Sequence, residues 1–198
     1  MKHWKVFSVL VTVGIFSSAC GVRSIPQARN AVDAAWAEVT NQYKRRADLV
    51  PNLVQVVKGY ASHEKETLTQ VTQARAQATQ MRIDPSQATP EQVQKFMSAQ
   101  GGLSQALGRL MVVAERYPDL KANENFRDLQ VQLEGTENRI TVARKRYIES
   151  VQSFNNLVTV PPESWTNALF YKHKPLPQFE VAEEERAVIE KAPEVKFE

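Results

Sequence analysis

Few residues in this chain have types and spacings that could do chemistry, and they do not assemble into a catalytic pattern. His63-Glu64 begins like the HExxH helix motif, in which two imidazoles one turn apart share a zinc ion. Position 67, where the second imidazole belongs, holds Thr67. The chain has 3 histidines, and His3 falls in its first residues, so only His63 and His173 remain. His63 therefore reads as a partly exposed surface histidine. Asp48, Glu124 and Glu137 are acids that an acid/base pair would need, but helix packing demands the same spacing. Gly101-Gly102 lies within a helical pattern and lacks the strand and the Lys of a phosphate loop. No Ser/His/Asp arrangement is present. The expectation is a non-catalytic protein with no cofactor and no metal.

Cysteine chemistry is limited in the same way. Cys20 is the only cysteine, which excludes an intrachain disulfide and a cysteine-based zinc site. Its setting points to processing instead. Lys2 and Lys5 form a basic start, Val6 to Phe16 is apolar, and Ser17-Ser18-Ala19 precede the cysteine. This resembles a bacterial lipoprotein signal peptide: residues 1–19 are removed and Cys20 carries the lipid, palmitate included. Ser17 stands where such signals usually have Leu. The competing reading is an uncleaved transmembrane helix extended through Val22, although the apolar run falls short of the about 17–25 residues that a span needs. A soluble secreted product is the third. Both leading readings attach the chain to a membrane on its extracytoplasmic side. Gly21 after the cysteine, in place of Asp, favours the periplasmic face of the outer membrane in a Gram-negative source. Residues 20–25 then form a lipidated tether.

Charge narrows the partners. The chain has 25 Lys and Arg against 22 Asp and Glu. Lys2 and Lys5 belong to the signal, so the remainder is near neutral. No dense basic face interleaved with aromatics appears, which argues against nucleic acid.

The elements that must position these residues are helices. The 198 residues with only 7 Gly favour helix throughout and a single domain. The first seam runs Val32, Trp36, Val39, Tyr43, then slips by one residue to Ala47, Val50, Val54, Val57, Ala61, Glu64, Leu68 and Val71. Steps of 3 and 4 mark a helix packed lengthwise on others, and the slip is a stutter. The expectation is one helix from about Pro26 to about Met81, starting at Pro26 and kinked at Pro51. Asp84-Pro85-Ser86 is a turn. Thr89, Pro90 and Gln92 form a capping box for a second helix, with the seam Val93, Phe96, Gln100, Leu103, Leu107, Leu110, Ala114, Tyr117. In-phase apolar residues on both sides keep it continuous through Gly101-Gly102. Tyr117-Pro118 ends it. The third helix, about Asn123 to Leu157, has the most regular seam: Phe126, Leu129, Leu133, Thr136, Ile140, Ala143, Tyr147, Ser150, Phe154, Leu157. Pro161-Pro162 stops it, and Glu163 to Phe170 forms a short helix with Trp165 and Leu169 on one side. The fold class is all-α: an elongated antiparallel bundle of three long helices plus a short C-terminal helix, without sheet. The bundle spans residues 26–178. The tail, residues 179–198, is acidic.

Several blocks resemble one family. Lys44-Arg45-Arg46, Asp48-Leu49-Val50-Pro51-Asn52-Leu53-Val54, Val57-Lys58-Gly59-Tyr60 and His63 to Leu68 are similar to the first signature of LemA family proteins. Tyr117 to Phe126 resembles the second, and Glu137-Asn138-Arg139-Ile140, Ala143-Arg144 and Tyr147 follow in the expected order. The resemblance implies a membrane-tethered, extended helical bundle of poorly defined role.

Two sets of residues follow as candidates. Arg45 or Arg46 with Asp48 is expected to meet Glu137 and Arg139 in a polar layer, because buried charge is tolerated only when paired. Lys44-Arg45-Arg46 as a lipid-headgroup patch is the competing reading. The candidate partner surface comprises Lys58, His63, Lys65, Lys121 and Asn125. That surface is expected at the membrane-distal end or flank of the rod. On the unbroken path of the first helix the two signatures fall at different places, with Tyr117–Asn125 near the membrane, and a break at Pro51 inverts that order. The function expected is a non-catalytic scaffold of the bacterial envelope with an unidentified protein partner. The alternative is an accessory factor for envelope lipid handling, transport or stress response.

Overall fold

A computed structural model describes residues 2–81, 83–84 and 88–177, with side chains from Val22 onward. The expected acidic tail lies outside the described residues, as does most of the Asp84–Ser86 turn. The expected lipidation of Cys20 and the side chains of the signal segment lie outside them as well. The described residues are helical, with no strand.

The first helix, α1, runs Lys2–Tyr60 without a break, through both Pro26 and Pro51. Pro26 is therefore inside the helix, not at its start. The chain then turns at residues 61–64, and α2 spans Lys65–Gln80. The single helix expected from Pro26 to Met81 is thus an antiparallel hairpin. Arg75 reaches the backbone of Ala47, and Trp36 Nε1 donates to the Ile83 carbonyl at 3.2 Å, so α2 runs back along α1.

The second long helix, α3, is Pro90–Ala114, with the Thr89–Gln92 capping box formed and Gly101-Gly102 kept helical. It returns beside α2: Gln100 Nε2 donates to the Ala78 carbonyl at 3.0 Å and Arg109 to Gln70 at 3.2 Å. A short helix, α4, covers Pro118–Ala122. The third long helix, α5, is Glu124–Thr159 and starts on the side chain of Asn123, which accepts from the Phe126 N–H at 3.0 Å. It runs antiparallel to α1, and the two form the longest pairing in the molecule. A last short helix, α6, is Glu163–Thr166, followed by a π-helical turn, Asn167–Tyr171. The path is up, down, up, down.

Burial explains the assembly. Each helix alone would leave an apolar stripe in water, at about 25 cal/mol per Å². Two buried clusters result. The one nearer the N-terminus joins Trp36, Tyr43, Phe96, Tyr147 and Phe154, with Ile25 and Val32 below. The other joins Val50, Leu53, Val57, Leu68, Leu103, Leu110 and Phe126. Most of the expected seam is buried, but Leu53, Val151 and Val158 lie deeper than Val54, Ser150 and Leu157. Trp36 packs against Phe96 and Tyr147 at ring distances of 5.4 and 5.2 Å. Burial there pushes the Tyr147 phenol up to about 12.

The prolines of α1 leave two carbonyls without their intrahelical donor, since proline has no N–H to offer residue i−4. Both find a donor elsewhere. Arg75 Nε donates to the Ala47 carbonyl at 2.8 Å, opposite Pro51. Tyr171 Oη donates to the Val22 carbonyl at 2.7 Å, opposite Pro26. Each proline marks where another element docks on α1.

Candidate functional site

Three features stand out along the rod. The first is a polar waist between the two apolar clusters. Arg46 is 2% exposed and is centred there. Its Nη1 donates to Ser104 Oγ at 2.6 Å and to Glu137 Oε2 at 3.0 Å. Its Nη2 donates to the Gln100 carbonyl and to Gln100 Oε1, at 3.0 and 2.9 Å. The guanidinium lies 5.1 Å from the Tyr43 ring centroid, while Nε finds no acceptor among the described residues. Glu137 is half exposed, so the ion pair is buried on one side and solvated on the other. The polar layer expected from the sequence therefore differs in membership. Arg46 and Glu137 meet, but Arg45 and Asp48 are exposed on α1. Arg139 is exposed and donates to Thr136 of its own helix at 3.0 Å. Gln100 and Ser104, from α3, complete the layer. Gln100 read as a seam position, and its polarity was the signal that it met a buried charge.

The second feature is the tip of the bundle, where the α1–α2 turn meets the α3–α4–α5 connection. Glu64 ties them: its Oε1 accepts from Arg116 Nη2 at 2.8 Å and from Tyr117 Oη at 3.1 Å. That hydrogen bond is the main reason the Tyr117 phenol is raised. Asn123 Nδ2 donates to Tyr60 Oη at 3.0 Å. Residues 57–66 and 117–126 thus share one end, the end remote from Val22. The expectation that they lie apart, with Tyr117–Asn125 near the membrane, is corrected: the reversal at residues 61–64 inverts every later helix. Lys58, His63, Lys65, Lys121 and Asn125 are all exposed there. Lys121 pairs with Glu115. Glu64 is engaged in these contacts and does not cap α2.

The third is an open furrow of about 580 Å³ beside the waist. Trp36, Tyr43, Phe96 and Met81 give it apolar walls, and Lys44, Asp48 and Arg75 a charged rim. Among the described residues, no group of three or more His, Cys, Asp or Glu side chains is placed to hold a metal ion. No helix among them is long and apolar enough to cross a membrane.

Known proteins resemble this chain in sequence. The family model described as LemA matches residues 35–197, which takes in most of the chain and all of its longer helices in whole or in part. The chain belongs to the LemA family. LemA family proteins are membrane-associated. Protein LemA of Metamycoplasma hominis is 24% identical over 173 residues, covering 86% of this chain and 74% of that protein. Magnetosome protein MamQ 2 of Paramagnetospirillum magneticum is 26% identical over 136 residues, 60% of this chain and 50% of the relative. MamQ of Magnetospirillum gryphiswaldense is 25% identical over the same length. The chain thus spans half the length of those magnetosome relatives. In the fold the end of the first signature, residues 57–66, meets the second at the tip, while Lys44-Arg45-Arg46 lies at the waist.

Proposed function

We propose that this protein is a non-catalytic scaffold: a stiff helical rod, lipidated at Cys20 and held on the extracytoplasmic side of a bacterial membrane, that presents its tip to a protein of the envelope. In a Gram-negative source the outer membrane's periplasmic face is the site. The observation that carries this reading is the tip itself. Glu64 locks two connections together, and Lys58, His63 and Lys65 remain exposed beside them. From Val22 to Tyr60 the unbroken α1 rises roughly 57 Å at ~1.5 Å per residue. A rigid, polar end at that height is suited to a partner, because ordered side chains lose little entropy on binding.

The test is recovery of crosslinked envelope proteins by the full-length chain and by a variant with Lys58, His63, Lys65, Lys121 and Asn125 changed to Ala. Discrete proteins lost from the variant, with membrane attachment and helical content intact, support the reading. Unchanged recovery removes the tip as the partner surface.

The furrow favours a second reading, an accessory role in envelope lipid handling. Its aromatic walls and charged rim match an acyl chain with a polar head. Lipid carried through purification and absent from a Trp36-side variant such as Met81→Glu would favour it.

A further inference from the structure

The end of the rod opposite the tip carries a second apolar surface. Trp165, Leu169 and Phe170 are 69, 71 and 64% exposed. Large side chains of this kind are costly to leave in water when clustered. Here they are held out by construction. Asn167 is buried; its Oδ1 accepts from the His173 N–H at 3.0 Å, and its Nδ2 donates to the His173 carbonyl at 2.9 Å. Asn155 of α5 holds both backbone groups of Leu176, at 2.9 and 2.8 Å. These two clamps fix the π-helical turn and aim its apolar side away from the bundle.

Position says what the surface faces. Tyr171, the last residue of the turn, is hydrogen-bonded to the Val22 carbonyl. Val22 lies two residues beyond Cys20, about 3 Å of helix rise, and closely follows the apolar segment Val6–Phe16 and its short link. Around the patch Arg23, Lys172 and Lys174 are exposed, with Glu163 half-buried beside them. A Trp, two further apolar side chains and flanking cations are the composition that sits at a lipid–water boundary.

We propose that Trp165, Leu169 and Phe170 seat in the headgroup–acyl boundary of the membrane that carries the N-terminal anchor, with Arg23, Lys172 and Lys174 on anionic headgroups. This rests on the membrane-anchored reading above. It adds a second point of contact beside the anchor. One point lets a rod swivel; two fix its angle to the membrane, since α1 runs unbroken from Val22 to the tip.

The test uses the full-length chain in vesicles of phosphatidylethanolamine and phosphatidylglycerol, with and without bromine on the acyl chains. Subtracting the emission of Trp165→Phe from that of the wild type isolates Trp165. Most of its emission is expected to be lost to brominated lipid, and iodide in the water is expected to quench it poorly. In L169D/F170D, iodide access should rise while flotation with the vesicles and helical circular dichroism stay unchanged. A chain that floats but whose Trp165 emission ignores bromine overturns the proposal. If that emission also ignores iodide, the cover is protein: a second copy or this chain's own residues 178–198. A chain that does not float removes the anchored reading, and this seat with it.

Discussion

At Arg46 a charge is buried between two apolar clusters and makes four hydrogen bonds. Such an arrangement is stable only while its partners stay. Arg46→Ala would strand Gln100 and Ser104 and open a void, at a cost of about 3 kcal/mol. Glu137→Ala removes an acceptor that is half in water, and should cost about 1 kcal/mol. The double variant should fall short of the sum by about 1 kcal/mol, because the two share one contact. Urea melts of the four proteins check this, and additive losses would show that the pair does not act together. The sequence narrowed the buried cation to Arg45 or Arg46, and it offered Glu137 because Glu137-Asn138-Arg139 has no local reason to be polar in the middle of a helix. Arg45, Asp48 and Arg139 were equally polar, and nothing in composition separates a charge turned inward from its neighbour turned outward. One residue is about 100° of helix rotation, and the stutter between Tyr43 and Ala47 blurs the phase just there.

Among the elements, helix type and most buried faces were readable, whereas the reversal at residues 61–64 was not. Val57, Ala61, Glu64 and Leu68 keep 3–4 spacing straight through the turn, and a seam gives phase without direction. Gly59 weakens the helix, but no residue from 61 to 64 is a Gly or Pro. The more conspicuous breaker, Pro51, lies in an unbroken helix because Arg75 supplies the donor it lacks. A prediction belongs to this pair. Arg75→Ala should cost about 2 kcal/mol by leaving the Ala47 carbonyl unsatisfied. In a Pro51→Ala background the backbone N–H restored at position 51 takes that carbonyl back, so the same change should cost about 1 kcal/mol less. Thermal melts of the cycle measure the difference; equal costs in both backgrounds would refute the pairing.

For the molecule as a whole, the ends of the rod could be placed only once the number of reversals was known. Three reversals, not two, put residues 57–66 and 117–126 together at the tip and the short C-terminal elements beside Val22. The attachment reading is checked by intact mass. Mature protein should lack residues 1–19 and carry the added mass of acyl chains on Cys20, and Cys20→Ser should lose that mass and the stable attachment that several chains give. A full-length mass without acyl groups would give the attachment to a transmembrane helix instead.

The two freed carbonyls have a mechanical meaning as well. A heptad seam is nearly periodic, so a helix pulled along its neighbour meets a similar apolar surface about every seven residues. The Ala47 and Val22 acceptors do not repeat. Each is a notch at one place on α1, with Arg75 or Tyr171 as the pawl that drops into it. Sliding by a heptad would restore the greasy contacts and leave both pawls out of their notches. A bundle that links a membrane to something about 57 Å away would therefore resist shear by register, tooth by tooth, and would yield by opening rather than by creeping.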